Sequence, residues 1–150
     1  MKRTDLYFAL VMLAIFLPFF ISSELYLWYK TFNVEHPMVM AFLKFAILST
    51  LGEMLGCRIS TGSYTTPTFG VVPRMVVWGI LGMAISMAMT VFSAGIPAFI
   101  TNMGGGALVA DFLSEGVSWG KFVVALAISV MMNTFFAPVF MTFHKITDAH

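Results

Sequence analysis

Charged residues are scarce in this sequence of 150 residues, because Asp, Glu, Lys and Arg together make up only 10% of it. A soluble domain of ordinary composition carries about a quarter charged residues, which cover its water-facing surface. The formal net charge is only +1, so the chain lacks the basic surface typical of nucleic-acid-binding proteins. These absences exclude an ordinary soluble domain, and we expect no nucleic acid as a partner.

Cysteine is almost absent as well, since Cys57 is the sole one. A single cysteine excludes an intrachain disulfide and a metal site built from several cysteines. The sequence predicts no P-loop, no G-x-S-x-G nucleophile elbow and no H-E-x-x-H metal site. His36, His144 and His150 lie in predicted loops or at chain ends, where we expect solvated side chains rather than ligands. We therefore predict no catalytic residues, no metal site and no cofactor, and we predict that the protein is not an enzyme.

Long apolar segments are what the sequence does contain, with apolar residues making up 59% of it. A helix needs about 20 such residues to cross a hydrocarbon core about 30 Å thick. The sequence therefore predicts an all-α membrane protein, a single domain over residues 1–150, with a bundle of about four transmembrane helices surrounded by the lipid bilayer. The predicted spans are 7–28, 37–56, 70–92 and 119–143.

The first segment follows Lys2 and Arg3, so a signal peptide is the alternative to a transmembrane span. No A-x-A-like cleavage site follows it. Tyr26, Trp28 and Tyr29 instead form an aromatic cluster typical of a membrane interface. A transmembrane helix is therefore the favoured interpretation.

Basic residues indicate the orientation, because they concentrate in cytoplasmic loops. The predicted topology places five of them on the side of the N-terminus and two on the other, namely Lys2, Arg3, Arg58, Arg74 and Lys145 against Lys30 and Lys121. Both termini are therefore expected in the cytoplasm, and the short loops favour a bacterial inner membrane. The outer loop 93–118 holds an apolar stretch interrupted by Gly104, Gly105 and Gly106, and a short interfacial or re-entrant helix and a plain loop are equally expected there.

Polar side chains inside the predicted spans are the candidate functional residues. A charged group at membrane depth costs about 2.5–3.5 kcal/mol on insertion scales, so it is expected to face the bundle interior, a cavity or a partner. Depth along the spans predicts two contacts, Glu24 with Lys44 and Glu53 with Arg74. These contacts either line a polar conduit or only hold helices together, and Lys44 alternatively extends its ammonium group to the interface. The candidates are Glu24, Lys44, Glu53, Arg74 and Asn133.

Small residues accompany these polar groups. Gly52 and Gly56 flank Glu53 in the second span, and Gly79 and Gly82 lie on one face of the third. Small residues allow two helix backbones to approach closely. We therefore expect the glycines to bring a neighbouring helix close to the acid, and that helix to supply a polar partner. The candidate partners are Arg74 and Asn133.

Pro138 lies inside the fourth span, where it removes one backbone hydrogen bond and predicts a kink. The hydroxyl of Thr134 is expected to compensate the carbonyl that is left free, which is a structural role. The alternative is that the neighbouring Asn133 faces a cavity.

Several stretches resemble, in order, the motifs of a family of small multi-helix membrane proteins. NTFFAPVFMTF (133–143) is similar to the family's D-Q-x-x-F-A-P-x-F stretch, and LGEMLG (51–56) to its G-D-x-x-x-Q segment. PRMVVWGILG (73–82) is similar to its R…G segment, and GIP (95–97) to the proline after the next helix. The family includes the twenty-two-kilodalton peroxisomal membrane protein and its mitochondrial inner-membrane relative, Mpv-seventeen. The resemblance covers roughly residues 45–143.

The resemblance implies a helical membrane protein for which pore formation has been proposed. Cys57, Asn133 and Thr134 depart from the family's usual residues, and its G-P, H-x-W-Y and C-terminal W-x-x-W-P elements have no counterpart. A divergent bacterial-type member, or a chain lacking the last part of the domain, is expected to differ in this way. The resemblance places Glu53, Arg74, Asn133 and Pro138 at motif positions.

Two functions remain open from the sequence. The first is a channel-like role in the passage of a small solute across the membrane, in which the intramembrane polar residues line the path. The second is a structural or assembly-scaffold role without transport, in which the same residues only join helices. The sequence leaves open whether one chain or a homo-oligomer is the working unit.

Overall fold

The computed structural model describes residues 3–148, which form helices joined by short loops, with no strand among them. The predicted all-α class is confirmed. The helices are α1 (Arg3–Ile21), α2 (Ser23–Glu35), α3 (Pro37–Thr61), α4 (Val71–Ile100), α5 (Gly106–Leu113), α6 (Trp119–Met131) and α7 (Ala137–Asp148). Four helical segments are long and apolar enough to cross a membrane, namely Arg3–Ile21, Pro37–Thr61, Val71–Leu113 and Trp119–Thr147. The chain is a multi-pass integral membrane protein.

Large apolar side chains on the candidate spans are exposed. Phe135 is 64% exposed and Val139 is 69% exposed, and no residue of α1 is buried. Such surfaces are unfavourable in water, because burying apolar area contributes about 25 cal/mol per Å². They are favourable where acyl chains surround the helices, so the exposure agrees with a membrane environment.

The first of two compact units ends at Met40, and within it α1 and α2 replace the predicted single span 7–28. Pro18 lies in the last turns of α1, and its carbonyl accepts the N–H of Ser22 at 2.9 Å. Ser22 then takes an extended conformation, and its hydroxyl accepts the N–H of Leu25 at 3.2 Å. Ser22 is thus the N-cap of α2, and this new helix start breaks the predicted span.

The second unit begins at Ala41 and contains most of α3 and all of α4 to α7. Helix α4 continues past the predicted end at residue 92 to Ile100, and the chain then bends at Gly104, whose φ is 92°. Glycine adopts such a positive φ without the steric penalty of a Cβ atom. Helix α5 follows the bend, so the segment 93–118 contains a short helix rather than only a plain loop.

The hairpin of α5 and α6 carries one apolar cluster of the second unit. Val109 on α5 and Val124 and Ile128 on α6 are buried, with Val124 completely inaccessible. Partly buried side chains of α4, among them Phe92 and Ile96, pack against them. The bend after α4 leaves α5 packed against α6, and side chains of α4, α5 and α6 share one apolar cluster.

A π-helical turn, Met132–Phe136, joins α6 to α7 inside the predicted fourth span. The N–H of Ala137 donates to the carbonyl of Met132, one residue further back than in an α-helix. Pro138 follows immediately and has no N–H for the preceding turn. The irregularity predicted at Pro138 thus takes the form of a widened turn within a continuous helix.

Candidate functional site

Helix α3 packs two aromatic side chains against two glycines of α4. A Cβ atom at Gly79 would overlap the ring of Phe42, and one at Gly82 would overlap the side chain of Phe45. Both glycines are buried. The aromatic side chains of α3 therefore lie directly against the backbone of α4, and this contact positions the polar residues further along both helices.

Glu53 on α3 and Arg74 in the first turn of α4 form an ion pair. Nη1 of Arg74 donates to Oε2 of Glu53 at 2.8 Å, and the two side chains are 28% and 21% exposed, respectively. The predicted contact between these residues is therefore present. Because both residues lie inside candidate spans, each offsets the cost of placing the other's charge there.

His144 on α7 completes what we call the Glu53 cluster, defined as Glu53, Arg74 and His144. Its Nε2 lies 3.7 Å from Oε1 of Glu53, and its side chain is only 13% exposed. Its ring packs edge-on against Trp78, with 4.5 Å between the ring centroids. The expectation of a solvated His144 was wrong, because α7 continues past the predicted end at 143 and carries the ring against α4. His36 is exposed, and His150 lies outside the described residues.

Phe69 fixes the guanidinium group from another side. The carbon Cζ of Arg74 lies 4.5 Å from the centroid of the Phe69 ring, a cation–π arrangement. Phe69 precedes Gly70, the N-cap of α4, and Gly70 accepts the N–H of Arg74 through its carbonyl at 3.2 Å. The loop before α4 and the first turn of that helix thus hold Arg74 in place.

A cavity of about 230 Å³, which we call the Glu53 cavity, opens beside this cluster. Besides the three cluster residues, its wall includes the indole of Trp78 and the apolar side chains of Pro73 and Val77. Thr68 and Thr147 add hydroxyl groups. The site thus combines two opposite charges, an imidazole and hydroxyl groups in one wall.

Gly52 and Gly56 do not have the role expected for them. Within the described part of the chain, and apart from the adjacent backbone of α3 itself, no heavy atom lies within 4 Å of a Cβ built at either position. Both glycines are exposed, so they do not bring a neighbouring helix close to Glu53 in this chain. The contact of α3 with α4 instead uses Gly79 and Gly82, against which the side chains of Phe42 and Phe45 lie.

The two polar side chains of the π-helical turn bond to their own helix. Nδ2 of Asn133 donates to the carbonyl of Ser129, and Oγ1 of Thr134 donates to that of Val130, each at 2.8 Å. Asn133 is exposed and does not line the Glu53 cavity. Arg74, rather than Asn133, is therefore the partner of Glu53.

The other expected pair consists of Glu24 and Lys44. Glu24 is exposed in the first turn of α2, where a negative charge is favourable near the helix N-terminus. Lys44 is partly buried on α3. The two residues belong to different compact units, and their contact stays a prediction.

The segment Gly116–Gly120 has the G-x-S-x-G letters of a hydrolase nucleophile elbow, which requires a strand before the serine. No strand precedes it between residues 3 and 115. Ser118 is instead the N-cap of α6, because its hydroxyl accepts the N–H of Lys121 at 3.2 Å and donates to the carbonyl of Asp111 at 3.1 Å. Among residues 3–148, no three His, Cys, Asp or Glu side chains are grouped as a metal site.

Sequence reasoning missed Trp78, His144, Phe69 and the two threonines of the cavity wall. One signal was available, because Trp78 follows Arg74 by four positions and therefore shares its helix face. His144 lies at the same predicted membrane end as Arg74, but the sequence does not show which side of its helix faces α4. Comparison with protein-family models, curated proteins and solved structures found no match for this chain.

Proposed function

We propose that this membrane protein takes part in the passage of a small polar solute, with the Glu53 cavity as a solute-binding vestibule at one end of the spans. The observation that carries the proposal is that the Glu53–Arg74 ion pair lines an open cavity instead of being sealed between helices. A polar solute crossing a bilayer needs groups that replace its lost hydration. The charged and hydroxyl groups of the cavity wall have this chemistry.

The second candidate function is a structural or assembly-scaffold role without transport. It is favoured by the fact that the same ion pair joins α3 to α4 near the place where the two helices are connected. A pair of this kind stabilises the packing of helices whether or not a solute binds. The two functions differ in what happens to solute flux when the helices remain folded.

The same proposal covers location, assembly and kinship. The bias of basic residues supports cytoplasmic termini in a bacterial inner membrane, and the chain works without enzymatic chemistry, as a single copy or as a homo-oligomer. Kinship with the family of the twenty-two-kilodalton peroxisomal membrane protein and Mpv-seventeen is part of the proposal. It is supported by the motif-like stretches around Glu53, Arg74 and Pro138.

Liposome swelling tests the proposal. Purified protein is reconstituted into vesicles, and the entry of uncharged, anionic, cationic and zwitterionic solutes is followed by light scattering. We expect faster entry of at least one class than into protein-free vesicles. Glu53→Gln is expected to lower this rate of entry on the order of tenfold, which corresponds to about 1.4 kcal/mol.

Glu115→Gln is the matched control, because Glu115 is an exposed carboxylate between α5 and α6, away from the cavity wall. This variant is expected to retain the wild-type flux. Absence of flux with the wild-type protein contradicts the transport proposal. Unchanged flux in Glu53→Gln, together with a lower unfolding temperature in detergent, favours the scaffold function.

A further inference from the structure

We infer that the Glu53 cavity binds a zwitterion, a small ligand that carries an ammonium group and a phosphate or carboxylate group close together. The inference rests on the proposed function for the idea that the cavity receives a ligand, and it adds the charge pattern of that ligand. It follows from the way in which opposite charges are arranged in one cavity wall.

The two charges of the wall are adjacent and both partly accessible. Nη1 of Arg74 is 2.8 Å from Oε2 of Glu53, and the side chains are 28% and 21% exposed. A ligand entering the cavity therefore meets a cation and an anion within a few ångströms of each other. An ammonium group placed at Glu53 and an anionic group placed at Arg74 would complete a ring of alternating charges.

A ligand with one sign of charge fits this wall less well. An anion that approaches Arg74 also meets the carboxylate of Glu53, and a cation that approaches Glu53 also meets the guanidinium group of Arg74. Like charges a few ångströms apart repel each other, so a ligand with a single charge is attracted by one group of the pair and repelled by the other. A zwitterion supplies a new partner to each charge as it binds, so this repulsion is offset.

The rest of the wall suits the same ligand. Nε2 of His144 lies 3.7 Å from Oε1 of Glu53, whereas Arg74 donates to Oε2. Thr68 and Thr147 also line the cavity. The Thr147 hydroxyl donates to the carbonyl of His144 at 2.8 Å, so towards a ligand it is an acceptor. Phe69 keeps the guanidinium in a fixed position, which favours recognition of a planar or tetrahedral anionic group.

The cavity size limits the ligand to a small one. A volume of about 230 Å³ is below the range of roughly 300–1,000 Å³ for pockets that hold drug-sized molecules. Phosphoethanolamine has the required charges and size, and the same chemical group is the headgroup of phosphatidylethanolamine. The ligand is therefore either a free solute or a lipid headgroup, with one shared recognition chemistry.

Isothermal titration of the purified protein in neutral detergent tests the charge pattern with three probes, namely phosphoethanolamine, ethanolamine and inorganic phosphate. We expect phosphoethanolamine to bind with a Kd at least tenfold lower than either single-charge probe. Equal or tighter binding of ethanolamine or phosphate would overturn the inference. This comparison uses the wild-type protein, so it remains decisive even if a variant fails to fold.

Variants then place the site. Glu53→Gln and Arg74→Gln are each expected to raise the Kd of phosphoethanolamine at least tenfold, whereas the control Glu115→Gln leaves it unchanged. Binding that survives both cluster substitutions in folded protein contradicts the assignment to this cavity.

A lipid arm distinguishes the two sources. The protein is incubated in mixed micelles that contain equal amounts of phosphatidylethanolamine and phosphatidylglycerol, and retained lipid is identified by native mass spectrometry. Preferential retention of phosphatidylethanolamine that is lost in Glu53→Gln assigns the headgroup as the ligand. If no probe binds in titration and neither lipid is preferred, the inference fails.

These measurements do not depend on flux. Zwitterion binding without any solute entry into vesicles contradicts the proposed transport function and leaves the binding site intact. Solute entry that depends on Glu53, without selective zwitterion binding, supports the proposed transport function and contradicts the zwitterion site.

Discussion

Glycine has two different consequences in the membrane helices of this protein. At Gly79 and Gly82, the missing Cβ admits the side chains of Phe42 and Phe45. At Gly52, the same absence leaves open space within the described chain. The structural effect of a glycine thus depends on whether its face of the helix contacts a neighbouring side chain. Substitution by alanine distinguishes a glycine in contact from one facing open space.

Gly79→Ala is expected to destabilise the protein by about 1–3 kcal/mol, because the added methyl group must displace the Phe42 ring in a packed contact. Gly52→Ala is the matched control on the partner helix. It is expected to leave stability unchanged or raise it by up to about 1 kcal/mol, since alanine is the better helix former. Unfolding by sodium dodecyl sulfate in mixed micelles, followed by circular dichroism, measures both.

A loss of stability in Gly52→Ala equal to that in Gly79→Ala would show that the exposed face of α3 also packs closely. A wild-type result for Gly79→Ala would show that the Phe42 ring moves aside without cost. Either result contradicts the assignment of the close helix contact to the glycines of α4.

The polar residues show how far sequence reasoning reaches at this scale. The contact of Glu53 with Arg74 was predictable because depth in adjacent spans is set by counting residues. The location of His144 was not, because its contact with Trp78 depends on helix rotation and on the continuation of α7. The packing role expected for Gly52 and Gly56 was wrong for the same reason. A G-x-x-x-G pattern shows that one helix face lacks bulky side chains, but it does not show which helix, if any, packs there.

At the scale of elements, one carboxylate links α5 to the start of α6. Oδ2 of Asp111 accepts the N–H of Gly120 at 2.6 Å, at the N-terminus of α6. Negative charge is favourable there, because the first N–H groups of a helix have no intrahelical acceptor. A Cβ atom at Gly120 would lie 2.6 Å from both Oδ2 of Asp111 and the carbonyl oxygen of Leu108.

Gly120→Ala and Asp111→Ala are therefore expected to destabilise this hairpin, the first by about 1–3 kcal/mol through overpacking and the second by about 1.5–3 kcal/mol through loss of a charge-assisted hydrogen bond. Hydrogen exchange of α5 and the start of α6, read by mass spectrometry, is expected to rise in both variants. Ser114→Ala is a milder control, because its hydroxyl bonds only to the carbonyl of Asp111. Unchanged exchange in Asp111→Ala contradicts the role of the carboxylate.

The elements themselves were largely predictable, because apolar length determines where a chain crosses a bilayer. The starts of α3, α4 and α6 lie within one residue of the predicted starts. The break at Ser22 was missed, since it combines a nearby proline with a cap whose hydroxyl also suits a helix interior. The fold of α5 onto α6 was left open because it depends on a single positive φ at Gly104.

For the whole molecule, the path of α4 has a consequence for topology. One candidate span separates Ser63 from Glu115, so a single crossing places them on opposite sides of the membrane. In the proposed orientation, with both termini in the cytoplasm, Glu115→Cys in a Cys57→Ala background is expected to react with a membrane-impermeant maleimide on intact cells. Ser63→Cys is expected to react only after the membrane is opened. Labelling of both from one side contradicts the crossing.

The length of α4 links the packing of this protein to the thickness of its bilayer. Thirty residues extend about 45 Å, well beyond a hydrocarbon core of about 30 Å. A helix of this length adapts to hydrophobic mismatch by tilting or by projecting from the membrane. Tilting of α4 relative to α3 would move Gly79 along the ring of Phe42. Short-chain and long-chain lipids would therefore change the packing between α3 and α4 to different extents.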